Sequence, residues 1–250
     1  MQVVGYQPLD PALLVTSDAA DGGVERVPLA RGADLAFSLG ERHCAGALTA
    51  DGHVACDAPA APYCEAHRST WVCARCTGTC LKDEMDCYQE HAVYLAAFAP
   101  ATFKVGVTRL ERLETRLREQ GADRGAHVHT VSNGRIAREL EADIARDVTD
   151  RVRVPTKVAG LHRRVDDEAW AALLADFDVA ERFEFDYGLA LADQPVPETL
   201  ATGRVRGTKG RLLVLERETG TYAVDLRDLV GYELRDGASD RELQSSLASF

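Results

Sequence analysis

All seven cysteines of this 250-residue chain lie between residues 44 and 87. With His67 they make eight thiolate or imidazole donors, the number that two tetrahedral zinc ions require. The spacing divides them into two groups. Cys44, Cys56, Cys64 and His67 would form one site of three cysteines and a histidine, and Cys73, Cys76, Cys80 and Cys87 a second site of four cysteines. Two-residue gaps, as between Cys64 and His67 or Cys73 and Cys76, let both donors of a knuckle reach one ion, while the bound metal closes the longer gaps. Gly46, Gly52 and Gly78 with Pro59 and Pro62 supply the turns. An odd cysteine count and the lack of a signal-peptide pattern oppose a disulfide framework. A redox-active Cys-x2-Cys pair would leave the other cysteines unexplained. Four protein ligands close each site, so both zinc ions are expected to be structural. His43, His53 and His91 are spare imidazoles able to exchange with an assigned ligand.

Composition narrows the setting. A hydrophobic share of 46% implies a folded core, and no apolar run approaches the roughly 18 residues of a membrane span. The net charge is −11, and among 29 basic residues only Lys82, Lys104, Lys157 and Lys209 are lysines. That balance implies a high-salt cytoplasm, where acidic surfaces stay hydrated. Any nucleic-acid surface on so acidic a chain has to be a local basic patch.

The central third carries the clearest periodicity. Residues 91–96 and 104–109 are Val- and aromatic-rich runs separated by Ala99-Pro100-Ala101-Thr102, which predicts two paired strands. Over residues 110–120, Leu110, Leu113 and Leu117 recur at helical spacing, and Arg109, Arg112 and Arg116 form a parallel stripe. Glu111, Glu114 and Glu119 interleave with these arginines, so the stripe reads equally as a salt-bridged, solvated face. A third strand is expected at 126–131. Ser132-Asn133-Gly134 then caps a second helix, with Ile136, Leu140, Ile144 and Val148 on its apolar side. Glu141 belongs to that side, having Ala137, Ile144, Ala145 and Val148 as helical neighbours. A carboxylate so placed needs a partner, either an arginine of the first helix or a divalent cation.

The order strand, strand, arginine-bearing helix, strand, glutamate-bearing helix resembles the GIY-YIG nuclease superfamily. Val93-Tyr94 stands in the place of its first motif, Lys104-Val105-Gly106 in that of its second, and Glu141 in that of its metal-binding glutamate. The run Lys104-Val105-Gly106-Val107-Thr108-Arg109, with Thr115-Arg116 and Gln120-Gly121-Ala122, more closely resembles domain-of-unknown-function family 2797, in which a cysteine-rich segment precedes the same core. This likeness covers roughly residues 44–160, with a weaker echo near the C-terminus. The GIY-YIG resemblance implies catalytic roles for Tyr94, Lys104, Arg112 or Arg116, and Glu141, with Mg2+ or Mn2+ held at Glu141. Lys104 departs from the pattern, since it replaces the second-motif tyrosine with a group that is a cation at neutral pH unless desolvated. A structural reading stays open beside it: Tyr94 as a core aromatic and Glu141 with Arg116 as an ion pair.

The flanks are β-rich. Short β-prone runs at 2–6, 13–16, 24–27 and 35–38 form a lead-in. Residues 152–155 read as a short strand or linker, and Asp166 opens a helix with Trp170, Leu173 and Leu174 on one face. From residue 200, short strands alternate with Gly turns, predicting a small barrel or meander. Arg204, Arg206, Lys209 and Arg211 there are either a phosphate-facing cluster or the solvated charges of a hairpin.

Together these features predict an α+β protein divided as a β-rich lead-in (1–43), a double zinc module of ribbon or knuckle type (44–90), a GIY-YIG-like ββαβα core (91–160), a helical connector (161–199) and a C-terminal β-rich domain with a polar tail (200–250). The expected function is that of a cytoplasmic, zinc-containing nucleic-acid-binding protein, with divalent-metal-dependent nuclease activity as the enzymatic form. The alternatives are a non-catalytic phosphate-ligand binder and a zinc-braced scaffold for a protein partner.

Overall fold

The computed structural model describes residues 1–16, 23–50, 52–68 and 88–239. The chain divides into two units, Met1–Ser69 with Tyr187–Phe250, and Thr70–Asp186. The first therefore takes both ends of the chain.

Its centre is a nine-stranded sheet. In chain order the strands are β1 (Gln2–Gln7), β2 (Ala12–Thr16), β3 (Val24–Pro28), β4 (Asp34–Arg42), β11 (Val196–Pro197), β12 (Ala201–Lys209), β13 (Leu212–Arg217), β14 (Gly220–Asp225) and β15 (Tyr232–Asp236). In space they run β11-β14-β13-β12-β4-β15-β1-β2-β3. A hairpin of β5 (Ala47–Thr49) and β6 (Gly52–Val54) stands apart. Alternating residues such as Val3, Leu13, Val15, Leu213, Leu215 and Val224 bury one face. A four-residue helix α5 (Leu226–Leu229) closes that core with Leu226 and Leu229.

The five-part division expected from sequence differs from this arrangement. The lead-in and the C-terminal domain are one sheet, because β15 lies between β4 and β1, and β12 pairs with the other edge of β4. An isolated lead-in would leave the ladder groups of β1 and β4 unpaired, and distant strands satisfy them. Of the two readings of Arg204, Arg206, Lys209 and Arg211, the hairpin is the one observed. Gly210, at φ +57, occupies the first position of the two-residue turn between β12 and β13. Arg206 pairs with Glu216 at 3.1 Å and Arg211 with Asp225 at 2.7 Å.

The second unit is built on a four-stranded antiparallel sheet, β10-β9-β7-β8, from β7 (His91–Phe98), β8 (Thr102–Arg109), β9 (Arg124–Val131) and β10 (Glu181–Glu184). Central β7 is buried on both sides. Val93, Leu95 and Ala97 face a core shared with Trp170 and Leu174, and Tyr94, Ala96 and Phe98 face one shared with Leu113 and Leu117. A 3-10 turn (Leu110–Arg112) leads into α1 (Leu113–Gln120), which ends at Gly121 in the left-handed region at φ +68. Its Leu117 packs so tightly on β9 that a Cβ at Gly125 would lie 2.4 Å from the leucine Cδ1. Asn133 caps α2 (Gly134–Ile144), its Oδ1 accepting from the Ile136 N–H at 3.0 Å.

The order β7-β8-α1-β9-α2 is that expected from the sequence. Two details are not. Residues 154–159 form helix α3 (Val154–Ala159) in place of a strand or linker, since Pro155 sits in its first turn, where a missing N–H costs nothing. The connector also supplies a strand, β10, after α4 (Asp167–Leu174), pairing Arg182 with Ala126. No helix among the described residues is long and apolar enough to cross a membrane.

Candidate metal centre and a buried tyrosine site

In the first unit, β4 runs directly into His43 and Cys44, and the β5–β6 hairpin folds back over them. Cys44 is fully buried, and its N–H bonds to the Ala58 carbonyl at 2.8 Å. The chain can turn here because residue 46 is glycine, at φ +64; a Cβ would lie 1.9 Å from the Val54 carbonyl oxygen. The loop that follows brings Cys56, Cys64 and His67 to Cys44, with all four ligand atoms within 4.8 Å of one another. Cys44 Sγ and Cys64 Sγ lie 3.4 and 3.3 Å from His67 Nδ1, and Cys56 and Cys64 sulfurs are 3.9 Å apart. A tetrahedral zinc with bonds of about 2.3 Å to sulfur and about 2.0 Å to nitrogen has S–S edges of about 3.8 Å and S–N edges of about 3.5 Å. The group has those dimensions and can hold a metal ion such as zinc.

The surroundings favour the thiolate at Cys64, whereas at Cys56 the Ala58 N–H lowers the thiol but burial and the Cys44 and Cys64 side chains outweigh it and raise it. The N–H groups of Gly46 and Cys64 point at Cys44 Sγ from 3.4 and 3.2 Å. Burial pushes the Cys64 thiol up, but the His67 N–H, the Cys44 side chain, the Ala66 N–H and the His67 ring outweigh it and bring it down to about 7. The spare imidazoles are engaged elsewhere: His43 Nδ1 with the Cys56 carbonyl at 3.0 Å, His53 Nε2 with the Ala45 carbonyl at 2.8 Å, and His91 Nδ1 with the Gln89 carbonyl at 2.7 Å. Cys73, Cys76, Cys80 and Cys87, the expected second zinc site, lie outside the described residues.

In the second unit, Tyr94 of β7 is opposite Gly106 of β8, and Lys104 is two pairs further on, opposite Ala96. Cross-strand partners share a face, so Tyr94, Lys104 and Gly106 lie together on the α1 side. The Tyr94 phenol lies directly over Gly106; a Cβ there would be 2.5 Å from the hydroxyl oxygen. Gln120, at the end of α1, donates from Nε2 to Tyr94 Oη at 2.6 Å and to the Arg116 carbonyl at 3.1 Å. Lys157 of α3 fastens this corner, reaching the Gln120 carbonyl at 2.7 Å and lying over the Phe98 ring.

Burial pushes the Tyr94 hydroxyl above its ordinary value of 10.0, opposed by Arg116 and Gln120. The phenol is therefore a neutral hydrogen-bond donor at pH 7. Burial, reinforced by Arg116, pulls Lys104 from 10.5 down to about 8, against the pull of Glu141 and Asp150. Among the described residues Lys104 forms no hydrogen bond or ion pair. Asp150 is brought near by the β8 edge itself, where the Val105 N–H bonds to the Thr149 carbonyl at 2.9 Å.

Tyr94, Lys104, Arg116 and Glu141 are thus one electrostatic group. Two expectations from the sequence change. The arginine paired with Glu141 is Arg138 of its own helix, at 2.6 Å, rather than one of α1; an i, i+3 neighbour reaches the carboxylate without crossing the sheet. Arg112 pairs with Glu119 at 2.9 Å on the exposed side of α1, and Arg116 reaches the other oxygen of Glu119 at 3.3 Å. Sequence reasoning passed over Gln120 and Arg138. Gln120 is one helical turn beyond Arg116, and Arg138 one turn before Glu141, so the spacing that selected their neighbours would have found both.

Residues 53–234 match the model of a family described as protein of unknown function (DUF2797). The match starts later and runs much further than the sequence likeness, taking in Cys56, Cys64 and His67, the described part of the second unit, and β11 to β14, but not Cys44. No curated protein and no solved structure matches the chain, so the likeness to GIY-YIG nucleases stands on the sequence motifs alone.

Proposed function

The chain belongs to the family described as protein of unknown function (DUF2797), and from its two sites we propose a zinc-containing protein that binds nucleic acid through the Tyr94 face of its second unit. The observation that carries this reading is the grouping of Lys104, Arg116 and the Tyr94 hydroxyl on one face, with Lys104 making no ion pair among the described residues. A cation kept without a carboxylate partner suits a ligand that brings the negative charge itself, as a phosphate backbone does. Arg112 and Arg118 add little, because Glu119 and Glu114 already balance them. The metal centre braces the first unit, with Cys44, Cys56, Cys64 and His67 as ligands.

A second reading is cleavage of the bound strand, with Mg2+ or Mn2+ at Glu141. The electrostatic coupling of Glu141 to both Tyr94 and Lys104 favours it. The close Arg138 pair speaks against it, since a metal would have to displace a guanidinium.

The deciding assay titrates pooled DNA and RNA at KCl from low to molar concentration, with and without Mg2+ or Mn2+. Wild type is compared with Arg116→Ala and Glu141→Ala. Binding that weakens with salt, drops in Arg116→Ala and is indifferent to Glu141→Ala supports the first reading. Divalent-dependent cleavage lost only in Glu141→Ala supports the second. No binding at low salt, with one stoichiometric protein recovered in a pull-down, overturns both in favour of a scaffold.

A further inference from the structure

The hydrogen bonds around Tyr94 are directional, and they leave a donor without an acceptor. The Arg116 carbonyl can only accept, so the Gln120 group facing it at 3.1 Å is the NH2. The same nitrogen contacts Tyr94 Oη at 2.6 Å, so the phenol oxygen accepts there and its own proton is turned away from Gln120. Among the described residues no acceptor meets that proton, although Tyr94 is 1% exposed. Arg116 is close enough to lower the phenol, while its half-exposed guanidinium also bonds to Glu119 at 3.3 Å. Lys104 lies on the same face and forms no ion pair among the described residues, though Glu141 and Asp150 act on it from further away. The one nearby carboxylate of α2, Glu141, hydrogen-bonds only to Arg138. Three donors of three different elements, β7, β8 and α1, therefore meet here, and among the described residues neither the buried Tyr94 proton nor the largely buried Lys104 ammonium has its acceptor. Buried donors are satisfied as a rule, and cations so enclosed are compensated.

We propose that Tyr94, Lys104 and Arg116 form an oxyanion site that takes a phosphate group directly, with no divalent cation, and that Gln120 is the positioning residue that turns the Tyr94 hydroxyl toward it. This deepens the nucleic-acid reading and rests on it for the source of the phosphate. It also assigns Tyr94 a role opposite to that of a base: the hydroxyl gives a hydrogen bond to the ligand and keeps its proton. Gly106 is part of the device, because any side chain there would displace the phenol. Arg138 is part of it as well, since it occupies the carboxylate that would otherwise hold a metal or capture Lys104.

The test uses the full, metal-loaded chain in buffer freed of divalent cations. Fluorescence anisotropy of a labelled single-stranded oligonucleotide is measured with a 5′-phosphate and without one, and inorganic phosphate serves as competitor. The expected result is binding in the absence of Mg2+ that added Mg2+ does not strengthen, competition by inorganic phosphate, and an about 10-fold weaker Tyr94→Phe variant, the loss of one hydrogen bond to a charged group. Preference for the phosphorylated oligonucleotide identifies a terminal phosphate as the ligand, and equal binding of the two identifies the internal backbone; either supports the site. Gln120→Glu checks the positioning role. Its carboxylate accepts the Tyr94 proton and removes it from the ligand, so phosphate binding falls while thermal stability holds. The proposal is overturned if Tyr94→Phe and Lys104→Met bind the oligonucleotide as wild type does, for the missing acceptor is then solvent; salt-dependent binding would still leave the nucleic-acid reading standing. It is overturned equally by binding that requires Mg2+ and disappears in Glu141→Gln. Binding of inorganic phosphate with no binding of either oligonucleotide would support the site and refute the nucleic-acid reading.

Discussion

Replacing Lys104 by methionine should make this protein more stable at neutral pH. The ammonium is largely buried beside Arg116 and pays for its enclosure by a fall from the ordinary lysine value of 10.5 to about 8. A group whose folded value is depressed is destabilising in its charged form: the penalty is complete below the folded value and is relieved as pH rises through the unfolded one. The difference corresponds to about 3 kcal/mol at pH 7, at about 1.4 kcal/mol per unit. Methionine keeps the length of the aliphatic stem and removes the charge. Urea unfolding followed by tryptophan fluorescence should give a gain of about 1 to 3 kcal/mol at pH 7, shrinking to less than about 1 kcal/mol at pH 10. Comparison with wild type at each pH cancels the other titrating groups. A variant less stable than wild type at pH 7, or an equal gain at both pH values, would refute the idea that Lys104 is a strained cation. The same substitution should abolish the phosphate competition described above.

Two further outcomes are expected. Gly106→Ala should lower stability by about 1 to 3 kcal/mol in thermal unfolding, because a Cβ 2.5 Å from the Tyr94 hydroxyl forces the buried ring aside; near-neutral behaviour would mean the phenol sits elsewhere. Cys64→Ser should reduce the metal content of the purified chain by one ion, measured by inductively coupled plasma mass spectrometry, with amide exchange at Gly46 accelerated as its bond to the Cys44 sulfur loosens; unchanged metal content would remove Cys64 from the ligand set.

The cysteine spacing and the helix and strand periods of residues 91–144 were legible from sequence because each is a local property. Cys64 and His67 are three residues apart, and a chain can present both to one ion whatever lies beyond. Asn133 caps α2 from three residues away, and Leu113 and Leu117 share a face by helical geometry alone. Pairing β15 with β4 and β1 joins residues from 190 to 231 positions apart, and nothing in a strand's alternation names its neighbour. The same limit governs the Tyr94 site. Sequence marked Tyr94, Lys104, Arg116 and Glu141 as chemically capable. Only the sheet register set Tyr94 over Gly106, and only the packing of α1 on that sheet brought Gln120 to its oxygen. Spacing decides which groups are able to meet, and long-range packing decides which hydrogen bonds are already taken and which donor is left over for a ligand.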